Sequence, residues 1–292
     1  MKKLLKLIKK TFPKFYNNLA KSSFLYSLLE YINLLNFVAK HERKLICFFI
    51  RTTFSYYLLK NHSDITFLFH ENEITLPRHL KWIDWFIEIY AEWFYDKIKW
   101  YNHVLDIWWY VGDSASKFAH YNKKVTVYEA HPENFKYLKY NTKKFDNVSI
   151  YNQAVTWNKE IKELKFYGWW FNMGAWTWNF QDTWKGFITV PAKSILDILS
   201  ENNYDAFKCD IEWAEYDCFN AIMSNKCNFN FNCWFIEFHI WQKENLRLET
   251  DKILNWLKGF KKYKIEYYNL NNNMIRKDIA VNEEAFFIYF YK

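Results

Sequence analysis

Short apolar runs alternate with segments of helical spacing from His103 to the end of the chain. Such runs are typical of strands buried on both faces, and repeated β-then-α units predict a mostly parallel sheet with helices on both faces. The predicted strands cover residues 104–107, 125–129, 148–155, 188–192, 206–211, 233–240, 263–269 and 285–292. The predicted helices cover residues 113–121, 132–144, 194–201, 214–224 and 249–259. The last two strands are expected to form an antiparallel hairpin at one edge.

The chain before His103 has a different pattern, which divides it in two. Residues 1–62 are predicted to form a helical N-terminal extension, because apolar side chains recur there at three and four residues. Residues 63–292 are predicted to form the main α/β domain, which opens with a hairpin and a helix over residues 63–102. The runs ITFLF and EITL predict the hairpin, and the apolar spacing over residues 82–99 predicts the helix.

Composition and charge exclude several classes of protein. With 51% hydrophobic residues among 292, the chain has enough apolar material for a large folded domain and is not globally disordered. The net charge of +8 comes largely from seven lysines in residues 1–21, and the nearly balanced remainder does not indicate a nucleic-acid-binding body. The five cysteines contain no CxxC pair, which argues against a disulfide framework or a structural zinc site and favours a reducing cytosol.

Residues 1–12 form a basic amphipathic segment that ends before Pro13. A helix of this kind can lie on an anionic membrane surface, although many solvated N-terminal helices are as short. Two placements therefore stay open: a cytoplasmic protein, or one held peripherally at the inner face of the membrane. No apolar run reaches the roughly 20 residues that cross a bilayer, and the basic segment lacks the features of a signal peptide.

Chemistry is expected at the carboxyl ends of the strands, because ligands bind there in open α/β sheets. The first strand of the main sheet ends near Asp106, and the chain then passes through Trp108 to Gly112, Asp113 and Ser114. With glycine at position 108, this segment would read D-x-G-x-x-x-G, a turn in which the backbone lies close to a bound cofactor. Asp113 or Ser114 would cap the helix that follows.

The next two strand ends also carry polar side chains. Glu129 comes 17 residues after Gly112, where a carboxylate can accept hydrogen bonds from both hydroxyls of a ribose. This spacing and the missing third glycine disfavour the G-x-G-x-x-G fingerprint of a dinucleotide site. Asn152 and Gln153 close the third strand, where they would either contact the edge of an adenine or form the loop.

Six segments between roughly residues 84 and 239 occur in a characteristic order: DIWWYVGDSASKFA, VYEAHPENFKYLKYN, YNQAV, AKSILDIL, FKCDIEWAEYDCF and FIEFHI. Together, and in this order, they resemble the FkbM-type S-adenosylmethionine-dependent methyltransferases. The resemblance implies a Rossmann-like class I methyltransferase fold, S-adenosyl-L-methionine as cofactor and a small-molecule or glycan hydroxyl as acceptor, with no nucleic acid. The residues expected to contact the cofactor are Asp106, Trp108, Gly112, Asp113, Glu129 and Asn152.

The later strand ends supply the residues expected to carry the reaction. Asp210, Glu212 and Glu215 lie close together in FKCDIEWAEYDCF. Carboxylates this close repel one another unless one is protonated, is paired with a lysine such as Lys208, or shares a cation with its neighbours.

An acceptor hydroxyl must lose its proton as it attacks the methyl group, so a base is needed. Asp210, Glu212 and His239 are the candidates, and His239 lies beside Glu237 at the end of the next strand. The alternative for His239 is a strand-end histidine packed under a loop. Metal assistance by Asp210, Glu212 and His239 is conceivable, but their spacing is not diagnostic, so no metal is predicted.

Glycine and tryptophan occur in unusual numbers. The chain has 5 glycines, where ordinary usage would give about 20, and it has 16 tryptophans. Trp108, Trp109 and Trp213 stand where the matching family motifs have glycine or another small residue, and Trp157 falls in a predicted turn. Since the chain is also rich in residues with A/T-rich codons, we hypothesise that UGA codons meaning glycine were translated as tryptophan. UGG codons at positions 108, 109 and 213 would contradict this hypothesis.

The sequence thus predicts methyl transfer from S-adenosylmethionine to an oxygen of a sugar or a similar acceptor. The alternative is a non-catalytic carbohydrate-binding or membrane-associated protein that keeps the fold, because an indole at 108 has no room where the backbone meets the cofactor. A nicotinamide-dependent oxidoreductase is disfavoured, since the fingerprint is missing. The aromatic segment 166–187 is expected to form a flexible loop over the active site rather than a stacking platform for a sugar or base. The oligomeric state is not indicated.

Overall fold

The structure is a computed structural model that describes nine ranges of the chain. They are residues 65–69, 72–76, 95–107, 111–167, 187–211, 214–225, 231–240, 244–270 and 273–292. The predicted extension over residues 1–62, the candidates Trp108 and Glu212, and residues 168–186 lie outside the described residues. Within the nine ranges, no helix has both the length and the apolar character needed to cross a membrane.

The described elements follow the predicted alternation of strands and helices. The strands are β1 (Ile65–Phe69), β2 (Asn72–Leu76), β3 (His103–Ile107), β4 (Lys124–Tyr128), β5 (Val148–Tyr151), β6 (Ala154–Thr156), β7 (Glu163–Tyr167), β8 (Phe187–Ser194), β9 (Ala206–Cys209), β10 (Cys233–His239), β11 (Lys264–Asn269), β12 (Met274–Ile275) and β13 (Ala285–Tyr291). The helices are α1 (Asp113–Tyr121), α2 (Pro132–Thr142), α3 (Ile195–Glu201), α4 (Ala214–Ser224), α5 (Glu244–Lys258) and α6 (Lys277–Ala280).

Eight strands form the main sheet in the order β12-β11-β13-β10-β9-β3-β4-β5. The five strands β5, β4, β3, β9 and β10 are parallel, whereas β13 is antiparallel to both β10 and β11. The mostly parallel sheet and the antiparallel pair near one edge are therefore confirmed, although the short β12 forms the edge itself. The predicted hairpin is confirmed in β1 and β2, and β6, β8 and β7 form a separate three-stranded sheet.

Strand order reverses between β3 and β9, which is the feature that positions the site. The chain runs from β3 outward through β4 and β5, and then returns to β9 on the other side of β3. In open α/β sheets, ligands bind at the carboxyl ends of the strands where the order reverses in this way. The end of β3 and the end of β9 therefore flank the expected crevice.

Two buried apolar clusters hold the sheet between its helices. Neighbouring residues on β3 divide between them, because side chains alternate across a strand. Val104 packs in one cluster with Phe118 of α1, and Leu105 packs in the other with Phe219 of α4. Since the strands are buried on both faces, a slip of one residue would exchange the two clusters, and the register that aligns the strand ends is fixed.

Three differences from the sequence prediction have local causes. The predicted strand over residues 148–155 is divided into β5 and β6, because the side-chain amide of Asn152 donates to the carbonyls of Glu129 and Ala130 where the chain leaves the main sheet. Residues 95–99 form turns instead of the end of a helix, and Tyr95 has the positive φ (69°) that ends helices. The strand β7 was not predicted: it pairs with β8, so Phe166, Tyr167 and Phe187 at the two ends of the expected loop belong to strands instead.

Trp100 has a backbone conformation that suits glycine. Its φ is +69° and its side chain is 78% exposed, with an edge contact to the ring of Tyr121. Tyr95 shares the positive φ, but its ring is buried against Phe118 and Phe235. By contrast, Trp234 is buried among aromatic rings. The exposed indole of Trp100 therefore has little packing to offset its strained backbone, which agrees with the glycine hypothesis.

Replacing Trp100 by glycine and by alanine separates backbone strain from loss of the indole. Both variants lose the ring contact, but only glycine relieves the left-handed conformation, which costs other residues roughly 1–2 kcal/mol. We expect Trp100→Gly to have the larger free energy of unfolding, by about 1 kcal/mol, in denaturant titrations. At the control position Trp157, which has no positive φ, the order should reverse because glycine is the more flexible residue. Equal stabilities at position 100 would contradict the argument.

Candidate active site

Asp106 and Lys208 form the centre of the candidate site. They are paired in the register of β3 and β9, and neither side chain is exposed. The ammonium of Lys208 lies 3.2 Å from Asp210 Oδ2 and 3.9 Å from Asp106 Oδ1. Asp106 Oδ2 accepts a hydrogen bond of 2.7 Å from the Ser114 hydroxyl, while Oδ1 accepts none from the described residues. The lysine therefore pairs more closely with Asp210 than with Asp106.

Burial raises the pKa of Asp106 to about 6 from its ordinary value of 3.8. The nearby charge of Lys208 and the hydrogen bond from Ser114 oppose this increase, and the charge of Asp210 adds to it. An ionised Asp106 would therefore be stabilised by a further cation close to Oδ1.

Gly112 fixes the turn from β3 into α1. Its φ is +89°, and a Cβ built on it would lie 2.9 Å from Cδ1 and 3.1 Å from Cα of Leu138. Glycine is thus required both by conformation and by the close approach of α2. The predicted caps are wrong: Gly112 itself is the N-cap residue, with no side-chain cap, because Ser114 donates to Asp106 instead. Asp113 is buried in the first turn, where a negative charge is favourable.

Glu129 directly follows β4 and is fully buried. Its Oε1 accepts hydrogen bonds from the His131 backbone N–H at 2.7 Å and from Asn134 Nδ2 at 3.4 Å, so the start of α2 holds the carboxylate in place. Asn152 donates both amide hydrogens to backbone carbonyls in this loop, at 2.9 and 3.0 Å. Its loop-forming role is therefore observed, and Oδ1 is its atom suited to accept a hydrogen bond from a ligand.

His239, at the end of β10, lies between carboxylates. Its Nδ1 is 3.1 Å from Glu215 Oε1, which also accepts the backbone N–H of His239 at 3.1 Å. Its Nε2 faces Glu237 Oε1 at 3.5 Å and Asp210 Oδ1 at 4.0 Å. Burial and the neighbouring charge of Asp210 raise the pKa of Glu237.

The structure thus brings four of the expected residues to the carboxyl ends of neighbouring strands. Lys208 lies within ion-pair distance of both Asp106 and Asp210, and Asp210 lies 4.0 Å from His239. Glu129 follows β4, the strand adjacent to β3. Sequence reasoning missed the role of Glu215 in orienting His239 and that of Ser114 in binding Asp106. Both residues lie in the first turn of the helix that follows a strand, and this position is the signal that could have indicated them.

A model of the methyltransferase FkbM domain matches residues 106–265, which is more than half of the chain. The chain belongs to the FkbM methyltransferase family. The match extends from the end of β3 into β11 and includes every candidate site residue. It confirms the Rossmann-like fold class, together with S-adenosylmethionine as the methyl donor of an FkbM methyltransferase. No curated protein matches the chain.

Three solved structures illustrate the similarity of the FkbM chain to other methyltransferases. The methyltransferase FkbM of Methylobacillus flagellatus KT has 16% identity and a TM-score of 0.39, over 65% of this chain and 43% of that one. Aeropyrum pernix fibrillarin, solved with natively bound S-adenosyl-L-methionine, has 9% identity and a TM-score of 0.43, over 78% and 82%. An rRNA methylase of Streptococcus thermophilus has 11% identity and a TM-score of 0.39, over 69% and 93%.

The raised pKa of Asp106 gives the stability of this FkbM protein a specific pH dependence. Between about pH 4 and 6, the folded state retains a proton on Asp106 that the unfolded state has already released. The contribution of Asp106 to stability therefore falls as pH rises through this window. Asp106→Asn cannot titrate. We therefore compare the free energies of unfolding of the variant and the parent protein. The difference, variant minus parent, should increase by up to about 3 kcal/mol from pH 4 to 7 and stay constant at higher pH.

Ser114→Ala is the matched control for this measurement. It keeps the carboxyl group but removes the hydroxyl that stabilises its ionised form, so the upper end of the window should extend to higher pH while the lower end stays where it is. Chemical denaturation with a chelator present, at pH 4 to 8, measures all three proteins. A difference between Asp106→Asn and the parent that does not vary with pH would refute the assignment.

Proposed function

We propose that this FkbM methyltransferase transfers a methyl group to a hydroxyl oxygen of a sugar or a similar small-molecule or glycan acceptor. One observation carries the proposal: charged side chains converge at the carboxyl ends of β3, β9 and β10, next to the reversal of strand order. This crevice is where the fold binds ligands. The acceptor class follows from the resemblance described above, and the geometry supplies the groups that such a reaction requires.

The residues present fit the cofactor. Asp106 Oδ1 is buried without a hydrogen-bond partner among the described residues, and it lies where a second cation would stabilise the carboxylate. S-adenosylmethionine carries an ammonium and a sulfonium group, both positively charged. Gly112 gives the adjoining turn its left-handed, close-packed backbone. The carboxylate of Glu129, held by the start of α2, would accept hydrogen bonds from the ribose hydroxyls.

The chemistry requires positioning and one proton acceptor. The bound cofactor supplies a methyl group on a positively charged sulfur, so the C–S bond breaks as the C–O bond to the acceptor forms. The hydroxyl proton passes to the cluster of Asp210 and His239, which lies at the same strand ends. Glu215 holds the Nδ1 side of His239, and Nε2 therefore faces the strand ends. In-line alignment of donor and acceptor supplies the larger part of the acceleration.

Cofactor affinity tests the site assignment directly. We expect Asp106→Asn and Glu129→Gln each to weaken binding of S-adenosylhomocysteine about 10- to 100-fold in calorimetric titrations, since each loses a hydrogen bond to a charged group. Glu160→Gln, on an exposed turn, should leave the affinity unchanged. His239→Gln should also retain it, because His239 is assigned to the acceptor side. Unchanged affinity in both Asp106→Asn and Glu129→Gln would remove the assignment.

The glycine hypothesis predicts that cofactor binding depends on three tryptophans. The chain carrying Trp108→Gly, Trp109→Gly and Trp213→Gly together should bind S-adenosylmethionine at least about tenfold more tightly than the chain with tryptophan, because the backbone can then approach the cofactor. Trp234→Gly is the control for general tolerance: this buried ring should cost about 3–5 kcal/mol of stability when removed. Should neither form of the chain bind the cofactor, the non-catalytic alternative would replace the proposal.

A further inference from the structure

The two ring nitrogens of His239 face carboxylates on opposite sides. Glu215 Oε1 lies 3.1 Å from Nδ1, whereas Glu237 Oε1 and Asp210 Oδ1 lie 3.5 and 4.0 Å from Nε2. Glu215 is fully buried, and its Oε1 already acts as an acceptor for the backbone N–H of His239. The pair therefore favours a proton on Nδ1, and a neutral ring then directs the Nε2 lone pair at two carboxylate oxygens. Three electron-rich atoms then converge, and a bound cation would relieve their repulsion.

Negative charge also predominates among the described side chains around Asp210, Glu237 and His239. Within the described ranges, Lys208 is the lysine at ion-pair distance from Asp210, and it is shared with Asp106. Glu215 Oε2 is buried and has no hydrogen-bond partner among the described residues, although Oε1 accepts two hydrogen bonds. Among the residues that the structure describes, the carboxylates of Asp210, Glu215 and Glu237 thus outnumber the lysine in contact with them. This negative charge would favour a bound cation, independently of the direction of Nε2.

We propose that Asp210, Glu237 and His239 bind a divalent metal ion. One ligand atom from each residue lies within 4.8 Å of the others. Ligands about 2.1 Å from a metal are at most about 4.2 Å apart, so small rotations of the two partly exposed carboxylates complete the site. Two carboxylates and one imidazole suit Mn²⁺ or Zn²⁺ better than Ca²⁺ or Mg²⁺, which prefer oxygen ligands alone. Glu215 orients the histidine from outside the site, as carboxylates commonly do at metal centres.

The role of the ion rests on the proposed function, whereas its binding does not. A metal at these strand ends would bind the acceptor hydroxyl and lower its pKa, so that the proton leaves before or during methyl transfer. Nε2 cannot bind the metal and accept that proton at once. The metal therefore replaces the imidazole in activating the acceptor, and the proton passes to a carboxylate of the cluster or to water.

Metal titration of the chelator-treated full chain tests the proposal. We expect one Mn²⁺ or Zn²⁺ per chain by calorimetry, with thermal stabilisation that rises with metal concentration. Electron spin-echo spectra of the Mn²⁺ form should show coupling to a histidine nitrogen, and His239→Gln should remove it. Asp210→Asn or Glu237→Gln should abolish stoichiometric binding. Glu215→Gln should weaken binding about 10- to 100-fold.

Asp217→Asn is the matched control for Glu215→Gln, because Asp217 lies in the same first turn of α4 but outside the cluster. It should bind metal like the parent protein. Absence of stoichiometric Mn²⁺ and Zn²⁺ binding in the parent, or equal binding by His239→Gln, would overturn the proposal. Thermal unfolding without metal verifies that each variant is folded, and Glu237→Gln replaces any variant that is not. Titration of the same preparations with S-adenosylhomocysteine reports separately on the proposed function.

Discussion

The buried ammonium of Lys208 is the constraint on which the candidate site depends. A charged group inside a protein is costly unless it is paired, and Lys208 is paired with two carboxylates at once. It lies nearer to Asp210, so Asp106 is left with a raised pKa and an oxygen without a hydrogen-bond partner among the described residues. One lysine thus links the ends of β3 and β9, but its single charge does not neutralise both carboxylates.

The parallel sheet explains why these charges meet. The register pairs Asp106 with Lys208, and it aligns the end of β9 with that of β10. Apolar clusters on both faces prevent slippage, so the strand ends cannot move apart to reduce repulsion. The helices that follow the strands then supply orienting groups: Ser114 of α1 donates to Asp106, and Glu215 of α4 accepts from His239. Position on the sheet places the charged residues, and the first turns of the helices orient them.

This division also sets the limit of sequence reasoning. Asp106, Glu129, Asp210 and His239 could be expected to lie at the strand ends because each closes an apolar run, and the helix over residues 214–224 was predicted with its observed bounds. Their hydrogen-bond partners could not be predicted. Ser114 could either cap α1 or donate to a carboxylate, and which of the two it does depends on where the strand ends, which sequence spacing does not locate. The division of residues 148–155 into two sheets likewise depends on contacts made by the side chain of Asn152.

The negative charge at the strand ends is concentrated at two centres, and this division matters for the proposed reaction. One centre is Asp106 Oδ1, which lies 3.9 Å from the Lys208 ammonium. The other is formed by Asp210, Glu237 and His239, and its Asp210 Oδ2 lies 3.2 Å from the same ammonium. Methyl transfer needs a positively charged donor and an activated acceptor at different points. The carboxyl ends of the strands offer a negatively charged centre for each, and the Lys208 ammonium contacts a carboxylate of both.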